Sequence, residues 1–160
     1  MAQVDYFLKL TGIEGESQDS KHKAEIEVLS FSWGVTQTGA HAHGGGGGSG
    51  KASFNDFAIT KFVDKASPQL MQACCSGKHI PEASFTGRKA GEEPLEYMKI
   101  KLTDILISSV QLGGSASDQP GVEQVSFSFR DSSITTFQQD PTGGVGGSET
   151  AQLCGVSGKR

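Results

Sequence analysis

The residues best placed to do chemistry lie in one glycine-rich stretch. GGGGSGK, ending at Lys51, half-matches the loop that wraps nucleotide phosphates, with Gly45, Gly50 and Lys51 in register. The next position is Ala52, where magnesium would need a hydroxyl. A phosphate loop must also open a helix whose amides face the anion, and here an alternating apolar pattern follows. His41 and His43 stand two apart in the same stretch, yet no carboxylate or third imidazole lies near to complete a metal shell. Cys74 and Cys75 are adjacent and Cys154 lies near the tail. These three form no Cys-x-x-Cys pair and no disulfide framework, and read as small thiols of a reducing compartment. Cys74 falls on an apolar stripe, which argues for burial over nucleophilic duty. His22 and His79 sit in polar contexts with no evident partner, and Glu92 and Glu93 fall in a turn-like GEEP. No Gly-x-Ser-x-Gly elbow is present. The expectation is a protein without catalytic residues, cofactor or metal.

Composition narrows the remaining classes. The chain has 160 residues, 35% hydrophobic and 20% charged, enough to build one core and not a polyelectrolyte. Its 22 glycines show no three-residue period, which excludes collagen. Net charge is −4, with no basic stripe to neutralise phosphates, so nucleic acid is not an expected partner. Apolar runs stop well short of the roughly 20 residues that span a bilayer, and MAQVDYFLKL has neither the basic flank nor the apolar stretch of a secretory signal. Membrane insertion is not expected.

Strand alternation dominates. In VDYFLKL, Val4, Tyr6, Leu8 and Leu10 share one face. In AEIEVLSFSWGVTQ, Ile26 and Val28 share one parity and Leu29, Phe31, Trp33 and Val35 the other. A slip at Val28–Leu29 predicts a bulge or twist of the kind a closed barrel requires. In KASFNDFAITKFVD, Phe57, Ile59 and Val63 oppose Phe54, Ala58 and Phe62, so both faces are expected to be covered. One helix is legible. Ser67 is placed to cap it, Pro68 suits its first turn, Leu70, Met71, Cys74 and Cys75 form its stripe, and Gly77 ends it. ASFTGRKA and LEYMKIKLTDILISSVQL read as strands, the second changing parity near Asp104 from Ile100 and Leu102 to Ile105 and Ile107. VEQVSFSFRD turns Val125, Phe127 and Phe129 inward, and ITTFQQ reads as a last strand. About seven strands and one short helix predict a mainly β fold, a barrel or sandwich. The barrel domain is expected over 1–140, with a glycine-rich tail over 141–160 disordered or weakly docked.

The stretch TGAHAHGGGGGSGK, 14 residues with seven glycines, has almost nothing to bury, and a connection of that length in a small domain is usually functional or disordered. Without chemistry, its natural role is contact with another chain.

The blocks GIEGESQDSKHKAEIEVLSFSWGVTQTG, HAHGGGGGSGKASFNDFAITKFVDKASPQLMQACCSGKHI, SFTGRKAG and EYMKIKLTDILISSV, in this order and spacing, resemble the Hcp family. These haemolysin-coregulated proteins are tube subunits of the bacterial type VI secretion system. The resemblance runs from about Val4 to Phe129; beyond it SITTFQQDPTGGVGGSET keeps the family's glycine-rich turn without its Trp.

The resemblance implies a two-sheet β-barrel with a flanking helix, assembled as a homohexameric ring. Rings stack into a tube that a contractile sheath drives out behind a spike, with small effector proteins carried in the lumen. It implies synthesis in the bacterial cytoplasm and secretion without a cleavable signal. A different class, a secreted Hcp-like effector with its own activity, would need a catalytic constellation after Phe129, where the sequence is glycine-rich. The segment of Gly39, His41, His43, Gly44, Gly45, Gly46, Gly47, Gly48, Ser49, Gly50 and Lys51 is, on the resemblance, the loop that reaches the next ring. Lys99 and Lys101 would face the lumen, a neighbouring subunit or solvent.

Overall fold

The computed structural model describes residues 4–37, 52–91, 93–117, 119–139 and 145–153. Ten strands and one helix follow one another as β1 (Val4–Leu10), β2 (Ile26–Val28), β3 (Ser30–Ser32), β4 (Val35–Gln37), β5 (Ala52–Phe54), β6 (Phe57–Phe62), α1 (Ser67–Ser76), β7 (His79–Lys89), β8 (Leu95–Gly113), β9 (Val122–Gln139) and β10 (Val145–Leu153). One sheet has the order β2-β1-β7-β8-β9-β6-β3, with β10 added to β9, and β4 and β5 form a second, two-stranded sheet.

The predicted slip at Val28–Leu29 is where the barrel closes. β2 pairs with β1 and β3 pairs with β6, so one short run of chain joins both ends of the strand order. At the junction the Leu29 amide donates to the Thr60 carbonyl at 2.7 Å. The side chains that alternation turned inward fill the interior: Phe57, Phe85 and Phe127 are fully buried beside Ile26, Ile59, Ile100, Leu102 and Ile105. Each contributes roughly 1.5–3 kcal/mol by leaving water. The parity change at Asp104 is present, and Asp104 itself adopts a left-handed φ of 51°. It is shared: the buried residues step from Ile80 to Ala83 on β7 and from Phe129 to Ser132 on β9, opposite the step from Ile105 to Leu102 on β8. The three strands thus turn their inner faces along one transverse line while their register is kept, which curves the wall.

Three expectations are corrected. Ser67 does not cap α1: Ala66 holds the N-cap position with no side-chain cap bond, because the Ser67 hydroxyl is engaged in the barrel interior. Gly77 does end the helix, at φ 66°, where a Cβ would be strained, and its amide and that of Lys78 donate to the Cys74 and Ala73 carbonyls. On β6 the third inward position belongs to Lys61, fully buried, while Val63 is 41% exposed. ITTFQQ is no separate strand; it continues β9, which runs unbroken to Gln139. Of the two states expected for the tail, disordered or weakly docked, residues 145–153 take the second, as strand β10. β6 pairs with β9 only over Val122–Phe127, which leaves that edge of β9 open from Ser132 onward, and β10 occupies it through backbone pairing. Its docking is weak in side-chain terms, since residues 146–152 are exposed and only Leu153 is half-buried.

Candidate assembly interface

The sequence placed its candidate contact residues between Gly39 and Lys51, and these lie outside the described residues. The base that carries them is described. β4 and β5 pair as a ribbon, Val35 opposite Phe54 and Gln37 opposite Ala52, closed at the bottom by the Asn55 amide on the Gly34 carbonyl. The ribbon is fastened to the barrel by aromatic contact: Trp33 meets Phe54 at 6.2 Å, Phe57 at 6.0 Å and Phe129 at 5.8 Å, the last two edge-on. Val35 on the ribbon is 53% exposed. The geometry is an arm on an aromatic root, suited to reach away from the barrel.

A second surface is the outer edge of β10. Every pairing of this nine-residue strand is with β9, so among the described residues its other edge has no strand partner. VGGSETAQL carries no Pro and no Lys, the residues that usually guard an open edge. A third is a groove of about 490 Å³ between β1, the β2–β3 junction and the end of β6, lined by Leu29, Val63 and Pro120 together with Glu16 and Glu27.

Lys99 and Lys101 point outward on β8, and Lys101 pairs with Glu82 at 2.6 Å, both about half exposed.

Two charge networks border the groove, through Asp5 and Asp64, and sequence reasoning found neither. Residues 11–25 form a strap across β1, β7 and β8. The two limbs of the strap meet at Gly15, whose amide donates to the Ala24 carbonyl and where a Cβ would lie 2.6 Å from the Glu25 carbonyl oxygen, so only glycine fits. Arg88, nearly buried, donates to both Asp19 oxygens at 2.8 and 2.9 Å and to Asp5 at 3.3 Å, and its guanidinium lies 4.8 Å from the Phe7 ring centre. These bonds hold Asp19 at about 2, below the ordinary 3.8, and push Arg88 above its usual value. His22, expected to be unpartnered, stacks on Phe7 at 4.5 Å; its Nδ1 lies 2.9 Å from Glu25. Its Nε2 is 3.3 Å from Glu96, close enough for an ion pair though not aligned as a hydrogen bond. His79, likewise, has a partner in Asp104 at 2.8 Å. Nearby, Tyr97 donates to the Tyr6 hydroxyl, and burial with that bond raises Tyr97 to about 12. The second network, around Lys61, lies in the barrel interior. One signal could have found it: Lys61 and Glu123 each sit two residues from an inward apolar residue, Ile59 and Val125, on the same parity.

Cys74 is half-buried and Cys75 exposed, both as free thiols. Among the described residues no His, Cys, Asp and Glu group of three or more could hold a metal, and no helix is long and apolar enough to cross a membrane.

Residues 7–136 match the family described as type VI secretion system effector, Hcp. The chain is 50% identical over 127 residues to protein hcp1 of Pseudomonas aeruginosa, covering 79% of this chain and 78% of that one. It is similar to the crystal structure of Hcp1 from Salmonella typhimurium, at 38% identity and a TM-score of 0.78 over 96% of this chain and 95% of the other. It is also similar to a structure described as a type six secretion system protein, at 30% identity, a TM-score of 0.90 and 99% of both chains.

Proposed function

This chain belongs to the Hcp family of type VI secretion system proteins, and on that premise we propose that it is the tube subunit, working through shape and performing no reaction. Six copies close into a ring, rings stack into a tube within the sheath and behind the spike, and small effector proteins travel in the lumen. The product is made in the cytoplasm and leaves by the type VI route without a cleaved signal.

The observation that carries this reading is the open edge of β10. A ring needs head-to-tail contacts whose rotation returns to the start. A strand whose backbone is satisfied on one side only, and whose exposed side chains bury little, gains most from a second strand pairing along its free edge. The arm on Trp33 and Phe54 serves the other direction: the loop Gly39–Lys51 that it carries contacts the next ring.

Light scattering tests the assembly, with a mass near six subunits expected and a stable monomer overturning it. Proline at Thr150 and at Ala151, made singly, tests the surface. Successive amides of a strand face opposite edges, so one variant loses a bond to β9 and the other only the free edge. The second should keep the barrel's melting temperature and lose the hexamer. Two variants that both remain hexameric would remove β10 from the interface. Deleting Gly44–Gly48 should spare the hexamer and weaken tube formation, and unchanged tubes would refute the loop's role.

A further inference from the structure

Lys61 and Glu123 face each other as register partners on β6 and β9, and neither side chain is exposed to solvent. A lysine there needs three acceptors, and it has them: Asp64 at 2.8 Å, Glu123 at 3.2 Å and the Ser67 hydroxyl at 3.3 Å. The Ser67 hydroxyl donates to the same Glu123 oxygen and accepts the Asp64 amide at 3.1 Å, so its donor and both acceptor positions are filled. Asp64 also accepts the Ala66 amide at 3.0 Å, which bends the chain into the helix. Among these side-chain polar atoms, only Glu123 Oε1 is buried and without a partner.

The connectivity matters more than the charge. Lys61 belongs to β6, Glu123 to β9, Asp64 to the link, and Ser67 opens α1. The hydroxyl that could have capped the helix has been turned into the barrel instead. An ion pair sealed from water contributes little net stability, because desolvation offsets its attraction, but it tolerates only one arrangement of the groups that satisfy it.

We propose that Lys61, Asp64, Ser67 and Glu123 form a latch that seats α1 on the end of the barrel: a positioning device whose loss unseats the helix while an apolar replacement leaves the barrel folded. Because Phe62, Val63 and Asp64 also line the groove, the latch sets that wall as well. The inference does not depend on the ring.

Cys74 supplies the readout, being half-buried on α1. In a Cys75→Ser, Cys154→Ser background it is the one thiol, and its rate of labelling by a thiol reagent reports unseating. The double variant Lys61→Met/Glu123→Leu should melt within a few degrees of the parent and label Cys74 at least tenfold faster. Hydrogen exchange should quicken over Leu70–Ser76 and stay unchanged in β7 and β8. Ser67→Ala, which keeps the ion pair, should raise labelling by a smaller factor. Parental labelling in both variants would overturn the proposal, as would uniform acceleration of exchange across barrel and helix. Should the double variant fail to fold, an apolar pair could not substitute for the latch, and that too would overturn it.

Discussion

The strap network around Arg88 and the latch around Lys61 use the same materials, a cation shared among carboxylates and neighbouring polar groups, in opposite surroundings. Lys61 and Glu123 are wholly buried; around Arg88, Asp19 is 24% and Asp5 44% exposed. Water near Asp19 and Asp5 screens the pairing and can take over from a lost partner, so the strap's bonds are graded and pH-dependent. Nothing takes over inside the barrel. Removing one member of the latch strands the others, whereas removing Lys61 and Glu123 together leaves only Asp64 without its cation, and Asp64 is 11% exposed and keeps the Ala66 amide.

The largest separation between the two should come from single truncations. Lys61→Met leaves Asp64 and Glu123 without their cation and should lower stability by about 3–5 kcal/mol in urea unfolding. Adding Glu123→Leu should restore most of that loss; if it does not, the dry network is more than a positioning device. Arg88→Met should cost less, about 1.5–3 kcal/mol for the charged hydrogen bonds it forfeits, and no second substitution should restore it. A loss equal to that of Lys61→Met would erase the contrast.

Acid gives a smaller and more selective test. Asp19 is held at about 2 in the folded chain against an ordinary 3.8. Its contribution is therefore complete above about pH 4 and disappears as pH falls through about 2. Asp19→Asn should flatten the fall in melting temperature over that window and leave the neutral-pH slope unchanged. A parallel fall in both proteins would mean that Asp19 does not sense the unfolding. The smallest effect belongs to His79 and Asp104, 68% and 46% exposed. His79→Ala should shift stability by no more than about 0.5 kcal/mol, and a larger change would show that exposure is a poor guide to these networks.

Strand content, the single helix and the inward residues of β8 and β9 were legible because side-chain parity is a local property of an extended chain. Ile100 and Leu102 yielding to Ile105 and Ile107 was visible for the same reason. The tail's strand was not legible because VGGSETAQL has no apolar face to announce it; what orders it is backbone pairing with an edge that opens only where β6 ends. His79 seemed partnerless since Asp104 lies far along the chain, whereas Glu25, only three residues from His22, meets it because the strap bends there and Phe7 holds the ring in place. Ser67 looked like a cap because capping is what a serine before a proline ordinarily does.

What the amino-acid order determined alone was the set of pieces: which runs alternate, where the helix stops at Gly77, and, through the order of its blocks, the family. What the tertiary structure decided was every choice made between distant residues. Lys61 could enter the core only because Glu123 stands across the ladder from it, and Arg88 could be covered only because the strap brings Asp19 over it. Burial of a charge is decided by its partners, and partners separated by many residues meet only once the barrel has closed.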